Sequence, residues 1–324
     1  MPALGNSSLR ALTVRPNVRV VRFPPQDGGI LILPHAQNDY NRGVIKDRAP
    51  CRSGKSSEFR REGTALRLTP LVLLTVLGIA QAGARDETQP GAVAALLEAY
   101  PDFLERIDGN ELVWKDGTRQ RIDDGKPAKS FEAMLDDPDI KDMFALTYPA
   151  GDKGLAPAIN FDPGRIRYMP LFLKMYGDCQ KTNIAAGAAD VVWLRSKYGK
   201  TVRFSKINGA AAALQKVADE LDRLPDKFLE YLRPLQGSYN CRPIAGTNRL
   251  SAHGLGIAVD IAAAHSHYWL WSKPDASGRV SYKNEIPWEI VRVFEAHGFV
   301  WGGKWYHYDT MHFEYRPEIL MNAR

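Results

Sequence analysis

The chain has 324 residues, 44% hydrophobic and 25% charged, with a formal net charge of +6. That is the composition of an ordinary globular protein, long enough for one large or two small domains around a substantial core. The charge is uneven: residues 1–82 hold 12 Lys and Arg against 5 Asp and Glu, and the remainder 31 against 32. The main body therefore offers no basic face for a nucleic acid, and no such partner is expected.

In chain order, residues 1–58 read as a leader that is disordered or not translated. They are rich in Arg, contain Pro-Pro and Gly-Gly, and show no sustained periodicity. "APCRSGKSS" half resembles a phosphate-binding loop, but Ala49 stands where the first glycine belongs and no strand pattern leads into it. Residues 59–84 have the order of a secretory signal: Arg60, Arg61 and Arg67, then the apolar run Leu68–Ala84 ending in small residues. The run is short for a spanning helix, so no stable membrane span is expected after cleavage. Export, with a periplasmic location, gives meaning to the cysteines. Cys51 lies in the leader, while Cys179 and Cys241 form an even pair, expected as a disulfide.

The rest reads as α+β, with a mostly helical front region over 85–232 and a catalytic core over 233–324. A helix is expected over Gln89–Tyr100 and a hairpin over Asn110–Ile122, with Asp116-Gly117 at its turn. Ser130 is placed to cap a helix over residues 131–148. Residues 162–179 mix turn and helix signals. Asn208–Leu224 is the clearest amphipathic helix, closed by Pro225. Beyond Leu232 the pattern turns to short strands over 235–244, 257–263, 298–303 and 311–316. A helix over 287–298 has Pro at its start and Gly at its end.

The chemistry concentrates in this last part. His253 and Asp260 flank six residues of an otherwise apolar run, "LSAHGLGIAVDIA", and a second pair follows in "YDTMHFE" as Asp309 and His312. Buried polar side chains are costly unless satisfied. Two imidazoles and a carboxylate, His253, Asp260 and His312, suit one zinc ion per chain with a position left for water. Asp309 is then the natural carboxylate to take a proton from that water. H-E-x-x-H is absent, so this is not the helix-borne metalloprotease site. His265 and His267 read as surface loop, His297 as a helix end, and His307 either as surface or as a group orienting Asp309. Trp301 and Trp305 either wall a substrate cleft or pack in the core.

"SAHGLGIAVD" followed by "WGGKWYHYDTMHFE" resembles the zinc peptidases of bacterial cell walls, which include VanX/VanY-type D-Ala-D-Ala carboxypeptidases and L-alanyl-D-glutamate endopeptidases. The hedgehog signalling domain resembles the same fold. The likeness spans about Gly237–Arg316. It implies an antiparallel sheet carrying zinc on His253, Asp260 and His312, with Asp309 as acid and base. It also implies an upstream arginine that binds substrate and steadies the oxyanion, which falls on Arg242, with Arg249 the weaker candidate. Ser251 supports the site. The substrates implied are peptidoglycan stem peptides. Asp rather than Glu at the base position favours the endopeptidase branch, with the D,D-carboxypeptidase as the alternative. A non-catalytic zinc-containing module is the third reading, disfavoured by the presence of Asp309 and Arg242.

Overall fold

The computed structural model describes residues 90–151 and 156–323. The leader, the signal segment and Cys51 lie outside the described residues. The architecture is α+β: short helices set around small antiparallel sheets.

The described residues open with helix α1 (Pro90–Ala99), as expected, and a meander of β1 (Leu104–Asp108), β2 (Glu111–Trp114) and β3 (Arg119–Arg121). The β2–β3 turn is the one expected at Asp116-Gly117. Gly117 has φ +81°, and its N–H closes onto the Trp114 carbonyl at 2.9 Å. Ser130 caps α2 (Phe131–Asp136) by accepting from Ala133 N at 3.2 Å. Pro138 follows directly, so the expected longer helix stops and resumes only as a short turn over Lys141–Phe144. Helix α3 (Met169–Tyr176) follows.

The front region is not mostly helical. Besides the meander it holds a hairpin of β4 (Ala188–Trp193) and β5 (Lys200–Ser205) that the sequence reading leaves unassigned. Of its strand residues only Val191, Trp193, Phe204 and Ser205 are buried. Its connection over residues 194–199 lacks the two-residue turn signature that betrays a hairpin. Helix α4 (Ala210–Leu221) packs on β4 through Ala210, Leu214, Val217, Ala218 and Leu221, all buried and all on the stripe read from the sequence. A short α5 (Leu229–Leu232) completes the region.

The last part is built on three strands: β6 (Ala258–Asp260), β7 (Phe299–Trp301) and β8 (His312–Tyr315), in the order β6-β8-β7, all antiparallel. Helix α6 (Trp288–Ala296) buries Ile290, Val291 and Phe294 against this sheet, the last stacked 3.7 Å from Phe313. Gly298 turns the chain from α6 into β7 at φ +88°, where a Cβ would also meet the Tyr315 ring at 2.9 Å. The final helix α7 (Pro317–Asn322) packs on α1. The strand expected over 235–244 is absent. Its backbone groups instead bond Asp260, His253 and Arg249, so it wraps the turn that carries His253 and makes only isolated bridges.

Cys179 and Cys241 are joined, with Cα atoms 5.8 Å apart across 62 residues of sequence. The link fastens the wrapped segment to the end of α3.

Candidate metal centre

Each candidate ligand is placed by backbone geometry. Ser251 caps the tight turn Ala252–Leu255, its Oγ accepting from His253 N at 3.4 Å. This is a turn-capping role beside the ligand. Gly254 lets the turn lie against Leu250 and the disulfide, since a Cβ there would sit 2.8 Å from Leu250 and 3.2 Å from Cys179 Sγ. Asp260 and His312 are direct cross-strand partners in the β6–β8 register, so one ladder sets both side chains on the same face.

The donors converge. His253 Nε2 lies 3.2 Å from Asp260 Oδ2, and His312 Nδ1 lies 3.0 Å from Asp260 Oδ1. Candidate ligand atoms of the three residues all fall within 4.8 Å of one another. The second nitrogen of each imidazole is also engaged: His253 Nδ1 meets the Ser238 carbonyl at 2.6 Å, and His312 Nε2 lies 3.6 Å from Glu314. Such outer partners select the tautomer that turns a lone pair inward. The set fits a tetrahedral, borderline-soft ion such as zinc.

Buried charge surrounds the centre. Burial alone would raise the Asp260 carboxyl, but His253 and His312 hold it well below the ordinary range. Burial would lower the His312 imidazole, yet Asp260 and Glu314 push it up to about 10. Glu314 is wholly buried. There Arg167 at 2.8 Å, with His312 and Arg316, outweighs burial and holds the carboxyl down to about 2. Arg316 in turn bonds Glu318, which accepts at 2.5 Å from Tyr100, the residue that follows α1. A continuous buried network thus links the end of α1 to a candidate ligand.

Asp309 belongs to a different class. Its Oδ1 is covered yet has no hydrogen-bond partner among the described residues. Burial, with the nearby Asp260 charge, raises its carboxyl to about 6. Its backbone is locked by Asp309 N to Gly302 O at 3.0 Å and His312 N to Asp309 O at 3.2 Å. Gly302 must be glycine here, because a Cβ would meet the Asp309 carbonyl at 2.6 Å. Gly303 likewise lies under the Trp301 ring. The W-G-G stretch is thus a backbone crossing that sets the height of Asp309.

The centre opens into a cleft of about 310 Å³ whose wall includes Arg242, Tyr268, Trp271 and Trp305. Arg242 is exposed and has no ion-pair partner among the described residues; its recorded contact is the Pro243 carbonyl at 3.4 Å. Trp305 stands 5.7 Å from His312. Trp301 does not reach the cleft: it is fully buried, donates to the Thr310 carbonyl and packs on Trp288. Arg249 faces an adjoining cavity of about 180 Å³ and pairs with exposed Asp136 at 3.4 Å. His307 does not orient Asp309; its Nδ1 bonds Asp162 at 2.9 Å. His265 and His267 meet Glu285, and His297 meets Glu220, all off the cleft.

A second acidic cluster, Asp123, Asp124 and Asp139, is neutralised in place by lysine. Lys129 Nζ lies 3.0 Å from Asp124 and 3.6 Å from Asp139. The sequence reading missed Arg165 and Arg167, which also line the cleft. They sit in "DPGRIR", a stretch with no motif, and only tertiary contact brings them to the centre.

Residues 245–315 match the family model described as D-alanyl-D-alanine carboxypeptidase. The match contains His253, Asp260, Asp309 and His312 and leaves Arg242, the disulfide and "DPGRIR" outside. No curated protein and no solved structure matches the chain.

Proposed function

We propose, for a chain whose residues 245–315 match the D-alanyl-D-alanine carboxypeptidase family model, that it is a zinc peptidase hydrolysing peptide bonds in peptidoglycan stem peptides. The observation that carries this is the convergence of His253, Asp260 and His312 at the floor of an open cleft, beside an Asp309 oxygen without a partner. His253 Nε2, an Asp260 oxygen and His312 Nδ1 would hold one zinc ion. Bound there, zinc lowers the pKa of water and polarises the scissile carbonyl. Asp309 accepts the proton of the attacking water and returns it to the leaving amine. A carboxyl raised to about 6 is mostly ionised at neutral pH yet basic enough for this exchange. Arg242, with no carboxylate to neutralise it among the described residues, steadies the developing oxyanion. Trp305 supplies apolar wall, and Ser251 holds the ligand turn.

Aspartate at the base position supports an endopeptidase cutting L-Ala-D-Glu. The description of the matched family supports the second reading, removal of terminal D-Ala. Digestion of pentapeptide-bearing muropeptides by the zinc-loaded protein, followed by mass analysis, separates them. Release of a peptide beginning with D-Glu is expected; release of D-alanine alone moves the assignment to the carboxypeptidase. Intact substrate with zinc bound means a non-catalytic module. Action outside the cytoplasm belongs to the same proposal, supported by the Cys179–Cys241 link.

A further inference from the structure

Phe161–Arg167 lies outside the matched residues, yet it is bonded to them and to the strand end beyond at successive positions. The Phe161 carbonyl accepts Tyr306 N at 3.0 Å, the Pro163 carbonyl accepts Trp305 Nε1 at 2.8 Å, and the Gly164 carbonyl accepts an Arg316 N–H at 2.7 Å. Gly164, at φ +78°, allows the approach to α7, where a Cβ would already touch Ile319 at 3.4 Å. The segment is therefore a fixed wall of the cleft.

Its two arginines are used differently. Arg167 is committed to buried Glu314, as described above. Arg165 bonds Asp162 through one guanidinium N–H at 2.5 Å and lies 5.6 Å over the Trp305 ring. Asp162 is itself fully buried and shared, because it also accepts from His307 N at 3.1 Å and His307 Nδ1 at 2.9 Å. One carboxylate thus aims two cleft-lining side chains and takes only one of the five donors of the Arg165 fork.

We propose that Arg165, held by Asp162, binds a free carboxylate of the substrate beside the scissile bond. The inference rests on the peptidase reading and deepens it. A planar guanidinium anchored on one edge presents its other donors to a carboxylate in bidentate fashion, which an ammonium cannot imitate. Stem peptides offer two such groups, the C-terminal carboxylate and the α-carboxylate of the γ-linked glutamate.

The test uses three synthetic stem pentapeptides: unmodified, amidated at the C-terminus, and amidated at the glutamate α-carboxyl. Binding is measured by calorimetry to full-length, zinc-loaded protein in an Asp309→Asn background, so that turnover does not interfere; cleavage is followed in parallel with Asp309 intact. One amidation should weaken binding about tenfold or more, the scale of a charge-assisted pair, and identifies which carboxylate is held. Adding Arg165→Gln should bring the acid down to the level of that amide, and Arg165→Lys should recover part of the difference. An acid-to-amide ratio unchanged by Arg165→Gln overturns the proposal. If the Gln protein does not fold, the Lys protein, which keeps a cation for Asp162, carries the same comparison. Cleavage without any acid preference removes the subsite and spares the peptidase reading. An Arg165-dependent preference without cleavage does the reverse.

Discussion

The candidate metal centre and the arginine wall beside it are built in opposite ways. The centre is local: His253 sits on a turn leading into β6, and Asp260 and His312 face each other across one ladder. The wall is remote. Arg165 and Arg167 come from well upstream of β6 and reach the cleft only because Phe161–Arg167 is bonded to residues between Trp305 and Arg316. A centre that must hold an ion needs ligands on regular backbone, where register alone fixes their separation. A wall that must fit a particular substrate is free to come from any segment that packs nearby.

The sharpest break of this comparison removes a ligand. His253→Ala should abolish zinc binding and reduce peptide cleavage to background while leaving Arg165-dependent binding of carboxylates. Metal analysis decides, and a stoichiometrically loaded variant would remove His253 from the ligand set. Next in size is Asp309→Ala, which should keep zinc and lose about 10²-fold or more in kcat; loss of zinc instead would make Asp309 a ligand. Because Asp309 must be ionised to accept a proton and burial raises its carboxyl, kcat/KM should fall toward acid pH in the parent protein and lose that acid limb in Asp309→Ala. The same acid limb in both proteins would argue against Asp309 as the base.

These two changes touch what the sequence showed most plainly. The candidate ligands and candidate base were legible because each sits on a short motif with fixed spacing, and α4 and α6 because a stripe or a Pro–Gly frame marks them. The Arg165 wall was not legible: no periodicity reveals which distant turn will close over a cleft. Trp301 stayed open between cleft and core because W-G-G in sequence does not say which side of the backbone crossing the ring takes, and the structure puts it in the core. The β4–β5 hairpin escaped because a six-residue connection carries no turn signature.

The remaining predictions probe where centre and wall meet. Glu314→Gln should destabilise the protein by about 3–5 kcal/mol, because it strips a buried carboxylate from Arg167 and Arg316. It should also weaken zinc binding about 10- to 100-fold by loosening His312. Thermal unfolding and competition with a chelator measure the two effects. If stability falls and zinc affinity does not, the network supports the wall alone. Cys179→Ser with Cys241→Ser should cost about 4 kcal/mol in the chain-entropy view of a 62-residue separation. Thiol titration of denatured, unreduced protein should find neither of these cysteines free. The smallest effect belongs to Arg249→Ala, which should change stability by less than about 1 kcal/mol, since its partner Asp136 is exposed.

The facing of Asp260 by His312 makes the short β6–β8 ladder a measuring instrument. The two donors stand together only when the strands are paired in that register, so the unfolded chain has no comparable centre. Any free energy released by ion capture is then returned to the sheet as resistance to melting. At a free ion concentration a hundredfold above the dissociation constant this amounts to about 2.7 kcal/mol. The melting temperature should accordingly climb with the logarithm of free zinc and fall on chelation. A thermometer and a metal buffer would thus read the affinity of the centre in a protein that has never been shown a substrate.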